Sequence, residues 1–230
     1  WSSDVCSSDL LEEDNTSGLK LPLRRNIKRE LLYMAKIFNV DQNLISAANT
    51  VLLNGTYPSD PSYRTKLVKN DYHKGEKVLS VIEDCLSDCD EFIFSVAFIT
   101  EGGLEPLLPV LKELERKRVP GNVLTTDYLT FSDPKALRKL SALSNIKLKM
   151  YVTEGSEGFH TKGYIFRKGN IYRSLVGSSN LTLDALTRNN EWNVKVVSKD
   201  SGEYSLDILN EFNRLWECAR SIDCPGFIDE

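Results

Sequence analysis

The chain has 230 residues, a length that suits one domain with an appendage. Its 41% hydrophobic and 27% charged residues are ordinary for a globular protein, and its formal net charge of −4 argues against a general nucleic-acid coat protein. The cysteine count is odd, and neither a signal-peptide pattern nor an apolar run near 18 residues is found, so we expect a reduced cytoplasmic protein with no membrane partner.

The cysteine and histidine residues form no metal-binding pattern. The five cysteines are Cys6, Cys85, Cys89, Cys218 and Cys224, and no two of them make a C-x-x-C pair. The two histidines, His73 and His160, do not cluster with them. We therefore expect neither a metal site nor a cofactor.

The first part of the chain predicts a small appendage. Residues 1–10 have no periodicity and resemble a translated sequencing adaptor, so we interpret them as a non-native segment. Helical spacing of apolar residues over 26–38 and a capped pattern over 41–53 predict two helices. The pair would form a helical appendage and linker over 11–63. A packing hairpin is favoured over a DNA-binding helix-turn-helix, because the second helix contains no basic residue.

The remainder, 64–230, alternates predicted strands and helices. The strands are predicted over 92–99, 122–125, 146–152, 159–166, 172–176 and 192–197, and the helices over 75–86, 104–118, 133–143, 181–186 and 205–218. Such alternation predicts an α/β fold, a sandwich in which a mixed central sheet is flanked by helices.

The run 159–166 contains a histidine two residues before a lysine. In a strand, His160 and Lys162 would point to the same side, because side chains alternate. An imidazole beside an ammonium is costly unless something anionic lies between them. The spacing therefore predicts a phosphate site.

A glycine- and serine-rich turn follows the next predicted strand and precedes the helix predicted over 181–186. Its residues are Gly177, Ser178, Ser179 and Asn180. A turn that opens a helix presents free N–H groups and the positive end of the helix dipole, and three of these residues add side-chain donors. We predict that all four bind phosphate.

Glu191 opens the third apolar run and is the carboxylate predicted to complete the site. It would accept the N–H of the His160 imidazole and fix its tautomer. Another candidate lining of the cleft is 125–128, which follows a predicted strand end, where such sheets commonly place ligands. The segment from His160 to Arg188 is also net +4 and would make the site locally basic.

These residues together resemble the phospholipase D superfamily, whose motif is H-x-K, an Asp five residues after the Lys, G-S-x-N, and a downstream Glu or Asp. Matching positions are His160, Lys162, Gly177, Ser178, Asn180 and Glu191, whereas Arg167 stands at the Asp position. The wider likeness, over 67–217, is to the phospholipase-D-like nuclease domain at the N-terminus of some bacterial DEAD/DEAH-box helicases. It is carried by 67–71, 94–100 and 124–129.

The resemblance implies a mechanism. One histidine attacks phosphorus to give a phosphohistidine, a second protonates the leaving oxygen, and no metal is needed. His160 would be the nucleophile, Lys162 would hold the phosphate, and Glu191 would support catalysis. The implied function is a metal-independent phosphodiesterase, a nuclease acting on nucleic acid and on DNA in particular, within a helicase, defence or repair protein.

The chain has one such motif for a reaction that uses two histidines. His73 has no G-S-x-N behind it, and a linker or surface role suits it better. A homodimer with the site on its two-fold axis would supply the second histidine. Two alternatives remain open: a nucleic-acid-binding or dimerisation module that has lost catalysis, favoured by Arg167, and a phospholipid phosphodiesterase or transferase.

Overall fold

The computed structural model describes residues 42–47, 60–127, 132–154 and 158–224. The chain divides into two compact units, Trp1–Gln42 and Asn43–Glu230. The segment 1–10 and the helix predicted over 26–38 lie outside the described residues. Of the helix predicted over 41–53, only 42–47 lies inside, and it is helical (α1).

The described residues of the second unit form one eight-stranded sheet. Its strands are β1 (Lys66–Val68), β2 (Glu91–Val96), β3 (Gly121–Thr126), β4 (Ile146–Tyr151), β5 (Lys162–Lys168), β6 (Ile171–Gly177), β7 (Asn193–Lys199) and β8 (Ser221–Asp223). They lie in the order β1-β7-β6-β5-β2-β3-β4-β8. The β2–β3 and β3–β4 pairs are parallel and the others antiparallel, so the sheet is mixed, as predicted.

Helices cover both faces of this sheet. They are α2 (Val78–Ser87), α3 (Glu101–Leu104), α4 (Leu108–Arg116), α5 (Pro134–Ser141), α6 (Leu183–Thr187) and α7 (Glu203–Trp216). A 3₁₀ turn, Glu105–Leu107, joins α3 to α4, so the single helix predicted over 104–118 is three short pieces. The first piece begins early because the Thr100 hydroxyl accepts a hydrogen bond from the Gly103 N–H. No helix in the described ranges is long and apolar enough to span a membrane.

Two hydrophobic clusters separate the faces of the sheet. In β2, Phe92 and Phe94 belong to the larger cluster, which also contains apolar residues of α2, α4 and α5. Ile93 lies on the opposite face, in a smaller cluster with Phe212 and Trp216 of α7. Because both faces of β2 are covered, its residues are apolar at successive positions rather than at alternate ones. The helix–sheet–helix sandwich confirms the predicted fold class.

Candidate functional site

The predicted residues of the H-x-K, G-S-x-N and Glu191 motifs lie at one end of the neighbouring strands β5, β6 and β7. In register, Gly163 of β5 lies opposite Val176 of β6, and Gly177 lies opposite Asn193 of β7. The start of β5, the end of β6 and the start of β7 are therefore neighbours. This pairing brings His160, the turn after β6 and Glu191 together although 31 positions separate the first from the last.

His160 precedes β5 rather than lying within it, which corrects the predicted strand over 159–166. The strand begins at Lys162, which is buried, whereas His160 is exposed. Alternation therefore does not explain why the two side chains are close. Instead, the ammonium of Lys162 donates to the backbone carbonyl of His160 at 2.9 Å, which folds the lysine back over the segment before the strand.

Phe98 lies against both groups. Its ring centroid is 5.9 Å from that of the His160 imidazole, in a T-shaped arrangement, and 5.9 Å from the Lys162 ammonium. The aromatic ring thus provides a common apolar support for the histidine and the lysine. The sequence indicated Phe98 only as part of an apolar run, so its place in the site was missed.

The electrostatics of the pair favour a neutral imidazole and an anionic ligand. Partial desolvation of the imidazole and the nearby Lys162 ammonium lower the pKa of His160 below its ordinary value, although the residue as a whole is exposed. Burial also lowers the pKa of Lys162, and the nearby Glu191 carboxylate opposes that change. Lys162 forms no ion pair with any described residue, so its charge is available to a phosphate.

The turn after β6 is held tightly against β7. A Cβ at Gly177 would lie 2.2 Å from the Trp192 carbonyl oxygen, so only glycine allows this approach. The backbone N–H of Ser178 donates to the same carbonyl at 3.1 Å. The turn therefore owes its position to contacts with the strand that follows it.

The turn does not open the helix directly, contrary to the prediction. A parallel bridge between Ile99 and Leu181 comes first. Helix α6 then begins at Leu183, with its first turn capped by Thr182. The dipole of this short helix is consequently separated from the turn, and phosphate binding there would depend on backbone N–H groups and side chains.

Ser179 has a different role from the phosphate contact predicted for it. It is fully buried, and its hydroxyl accepts a hydrogen bond from the Asn193 amide at 2.9 Å. Its N–H donates to the Asn193 side-chain oxygen, and its carbonyl accepts from the Tyr164 hydroxyl. Because these groups are used within the protein, Ser179 supports the turn instead of facing a ligand.

Asn180 and Ser178 remain positioned for a ligand. The side-chain oxygen of Asn180 accepts from the Phe98 N–H at 3.2 Å, which leaves its NH₂ group to donate elsewhere. Ser178 is exposed, and its hydroxyl hydrogen-bonds the Glu191 carboxylate. The imidazole of His160 forms no hydrogen bond with any described residue, so the predicted Glu191–His160 contact is absent from this part of the chain.

The basic segment predicted around the motif is neutralised by carboxylates. Arg167 pairs with Glu91 at 2.8 Å, at the opposite end of β5 and about 17 Å along the strand from Lys162. Lys168 and Arg173 pair with Asp88. The replacement of the motif Asp by Arg167 thus falls outside the site.

The candidates 125–127 are committed to interior contacts. Thr125 and Thr126 are fully buried, and their hydroxyls donate to the carbonyls of Ala97 and Tyr151. Asp127 accepts hydrogen bonds from Thr153. They hold strand ends together, while residue 128 lies outside the described residues.

The second histidine lies on a separate 3₁₀ turn. His73 is exposed on the 3₁₀ turn Tyr72–Lys74, where its ring contacts Tyr72. Within the described ranges, no three His, Cys, Asp or Glu residues are grouped as metal ligands would be.

Comparisons with known proteins agree with the fold. The family profile described as "Cardiolipin synthase, PLD-like domain" matches residues 83–216, and no curated protein sequence matches significantly. NucT from Helicobacter pylori is similar in structure, with a TM-score of 0.55, 15% identity and coverage of 70% of this chain and 98% of NucT. Nuc from Salmonella typhimurium, a phospholipase D family member, is similar with a TM-score of 0.54 and 15% identity, over 70% of this chain and 98% of Nuc. Phosphatidylserine synthase from Haemophilus influenzae Rd KW20 is similar with a TM-score of 0.53 and 12% identity, over 76% of this chain and 44% of the synthase. At these identities the three likenesses show a shared fold.

Proposed function

The chain belongs to the family of PLD-like domains, and on that premise we propose that it is a metal-independent phosphodiesterase, a nuclease that forms a phosphohistidine on His160. One observation carries the proposal. The imidazole of His160, with its pKa lowered, lies beside a lysine ammonium that forms no ion pair with any described residue. A neutral imidazole is a nucleophile at neutral pH, and the unpaired cation attracts the phosphate that it would attack.

In the first step, a ring nitrogen of His160 forms a bond to phosphorus. The bond from phosphorus to the leaving oxygen breaks, and that oxygen takes a proton from the imidazolium of a second histidine. In the second step, water attacks the phosphohistidine and the P–N bond breaks. The proton of the water returns to the second histidine, which restores both groups.

Three groups would hold the phosphate oxygens during these steps. The Lys162 ammonium supplies the charge, and a cation about 4 Å from an anionic oxygen gains on the order of 4 kcal/mol at an effective dielectric constant near 20. The NH₂ group of Asn180 supplies a donor, and the Ser178 hydroxyl would supply a second by turning from the Glu191 carboxylate to the phosphate. Gly177 allows the turn to approach β7, which sets the position of these donors.

A homodimer would provide the second histidine. His73 is unsuited to the task, because it lies exposed on a separate 3₁₀ turn. The exposed His160 can instead face His160 of the partner subunit across a two-fold axis. Glu191 would then stabilise positive charge near Lys162 and hold Ser178.

The biological setting belongs to the same proposal. We take DNA as the substrate, the cytoplasm as the location, and a helicase, defence or repair protein as the context. These points rest on the resemblance in motifs over 67–217. The open reading frame on either side of the chain tests the helicase context directly.

The activity is tested with labelled single- and double-stranded DNA and RNA in excess EDTA. We expect cleavage that survives the chelator, is abolished in His160→Ala and is unchanged in His73→Ala. His73→Ala is the matched control, because it removes the other histidine of the chain. Activity that disappears in EDTA and returns with magnesium would contradict the proposed mechanism.

A further inference from the structure

A groove of about 360 Å³ opens beside the site, on the face of the sheet that α7 covers. Its floor consists of residues that are neighbours across three strands: Ser95, Gly163 and Val176. Its wall consists of three apolar residues of α7: Ile208, Phe212 and Leu215. His160 and Lys162 also line it, so the groove is continuous with the proposed phosphate site. Its volume lies within the usual range for small organic ligands.

The groove exists because residue 163 has no side chain. A Cβ built at Gly163 would meet no atom within 4 Å, whereas the next residue on the same face, Ile165, fills its space in the smaller hydrophobic cluster. Neighbouring Ser95 has a small side chain, and its hydroxyl forms a hydrogen bond of 2.8 Å with the Thr161 hydroxyl. The floor is therefore a shallow surface without unpaired polar groups.

The floor continues into an exposed apolar row. Val194 of β7 and Leu67 of β1 follow Val176 in register. Their exposed fractions rise along the row, from 39% at Val176 to 44% at Val194 and 54% at Leu67. An uncharged group that enters the groove would cover the apolar floor at Val176 and gain from its burial.

The charges around the groove favour one position for a phosphate and another for the uncharged group attached to it. Lys162 provides a cation without an ion pair among the described residues. At the rim, the Glu211 carboxylate is held by Arg214 through two hydrogen bonds of 2.8 Å. Because this pair has no net charge, the rim offers no cation to a second phosphate, whereas Lys162 offers one to the first. The phosphate is thus directed to Lys162 and the uncharged part of the substrate to the groove.

We propose that the groove binds the nucleobase next to the phosphate under attack, and that the preferred substrate is therefore single-stranded nucleic acid. The inference rests on the proposed function, since it deepens the description of the same site. A base in a duplex would have to lose its stacking and its base pair to reach the groove, whereas for an unpaired base the free-energy cost is small. Hydrophobic burial of a base needs no particular sequence.

The binding test uses three ligands without turnover: inorganic phosphate, deoxyribose 5-phosphate and deoxyadenosine 5-monophosphate, titrated by calorimetry. In the wild type we expect the nucleotide to bind at least about tenfold more tightly than the sugar phosphate, because the base buries apolar surface. In Gly163→Val, whose side chain fills the floor, the two should bind equally. The affinity for inorganic phosphate should stay the same.

A second pair of variants guards against an indirect effect of the valine next to Lys162. Ile208→Trp fills the groove from the helix wall and should also remove the nucleotide preference. Leu206→Trp is the matched control, because Leu206 lies on the same helix, is 48% exposed and does not line the groove. It should bind all three ligands as the wild type does.

Cleavage of one sequence as a single strand and as a duplex completes the test. We expect the single strand to be cut at least about tenfold faster, and Gly163→Val to remove most of that difference. A nucleotide preference that persists in both filled variants overturns the groove assignment and leaves the phosphodiesterase proposal intact. A preference for dihexanoyl phosphatidic acid over the nucleotide also overturns it, in favour of a lipid. Nucleotide preference without any cleavage upholds the groove and contradicts the proposed activity.

Discussion

The side-chain oxygen of Asn180 accepts a hydrogen bond from the backbone N–H of Phe98, 82 positions earlier in the chain. The Phe98 carbonyl in turn accepts from the N–H of Leu181. These two bonds fasten the turn after β6 to the segment after β2. Since the Phe98 ring also contacts His160, one residue links the proposed nucleophile to a proposed phosphate donor.

The first prediction concerns the Phe98 ring. Phe98→Leu keeps the backbone bonds to Asn180 and Leu181 but removes the aromatic contact with His160. The imidazole then becomes better hydrated, and its pKa should rise towards the ordinary value, because burial is the larger cause of its depression. We expect the pH–rate profile of single-turnover cleavage to move to higher pH, because the nucleophilic imidazole and the partner's His160 then both titrate at higher pH.

The pKa of His160 can be read from its imidazole resonances by NMR. The resonances of His73 provide an internal control that should not move. An unchanged titration of His160 in Phe98→Leu would show that the ring does not set its protonation.

The second prediction concerns Glu191. Glu191→Gln preserves a hydrogen bond to Ser178 but removes the negative charge that raises the pKa of Lys162. The lysine should therefore lose its proton at lower pH, which an NMR titration of the Lys162 ammonium measures. Ser178→Ala is the matched control, because it breaks the same hydrogen bond without changing the charge. Identical titrations of Lys162 in wild type and Glu191→Gln would contradict this role.

The third prediction concerns the stability of the turn. Asn193 is 1% exposed and its amide joins Ser179 to the carbonyl of Val68. Asn193→Ala leaves these buried groups without partners, which should lower the free energy of unfolding by about 1–3 kcal/mol. Urea unfolding measures the change, and the exposed Asn190→Ala should leave stability unaltered. Equal midpoints for Asn193→Ala and the wild type would show that the network adds nothing.

The fourth prediction concerns the dimer. Under subunit exchange, mixing wild type with His160→Ala should reduce activity with roughly the square of the wild-type fraction, because a heterodimer holds one histidine where two are needed. Mixing with His73→Ala should cause no loss. A linear decrease with His160→Ala, or a fully active monomer by light scattering, would rule out a shared site.

The sequence predicted the alternation of strands and helices well, because the central strands β2 and β5 are buried on both faces and contain apolar runs. Motif spacing also indicated His160, Lys162 and Asn180. Motif spacing could not predict contacts between segments that are distant in the sequence. The Phe98–Asn180 bond and the Ser179–Asn193 bond depend on sheet order, which spacing alone does not reveal. For the same reason the sequence assigned Ser179 to phosphate, although the fold buries it.

The net positive segment was misjudged for a related reason. Its arginines and lysines stand close in sequence, but Asp88, Asp90 and Glu91 meet them across the sheet. A charge count along the chain does not include partners that the fold supplies. The local field at the site therefore comes from Lys162 rather than from the whole segment.

The most direct measurement of the central claim is to trap the covalent intermediate. Substrate and enzyme are mixed in EDTA, quenched within one turnover in alkali, and mapped by mass spectrometry of the peptide that contains His160. The account predicts an adduct in which the nucleotide that keeps the phosphate is joined to His160 through a P–N bond; it should be stable in alkali, lost in acid, absent from His160→Ala and present in His73→Ala. Rapid cleavage with no adduct on His160 at any time within the turnover would contradict it.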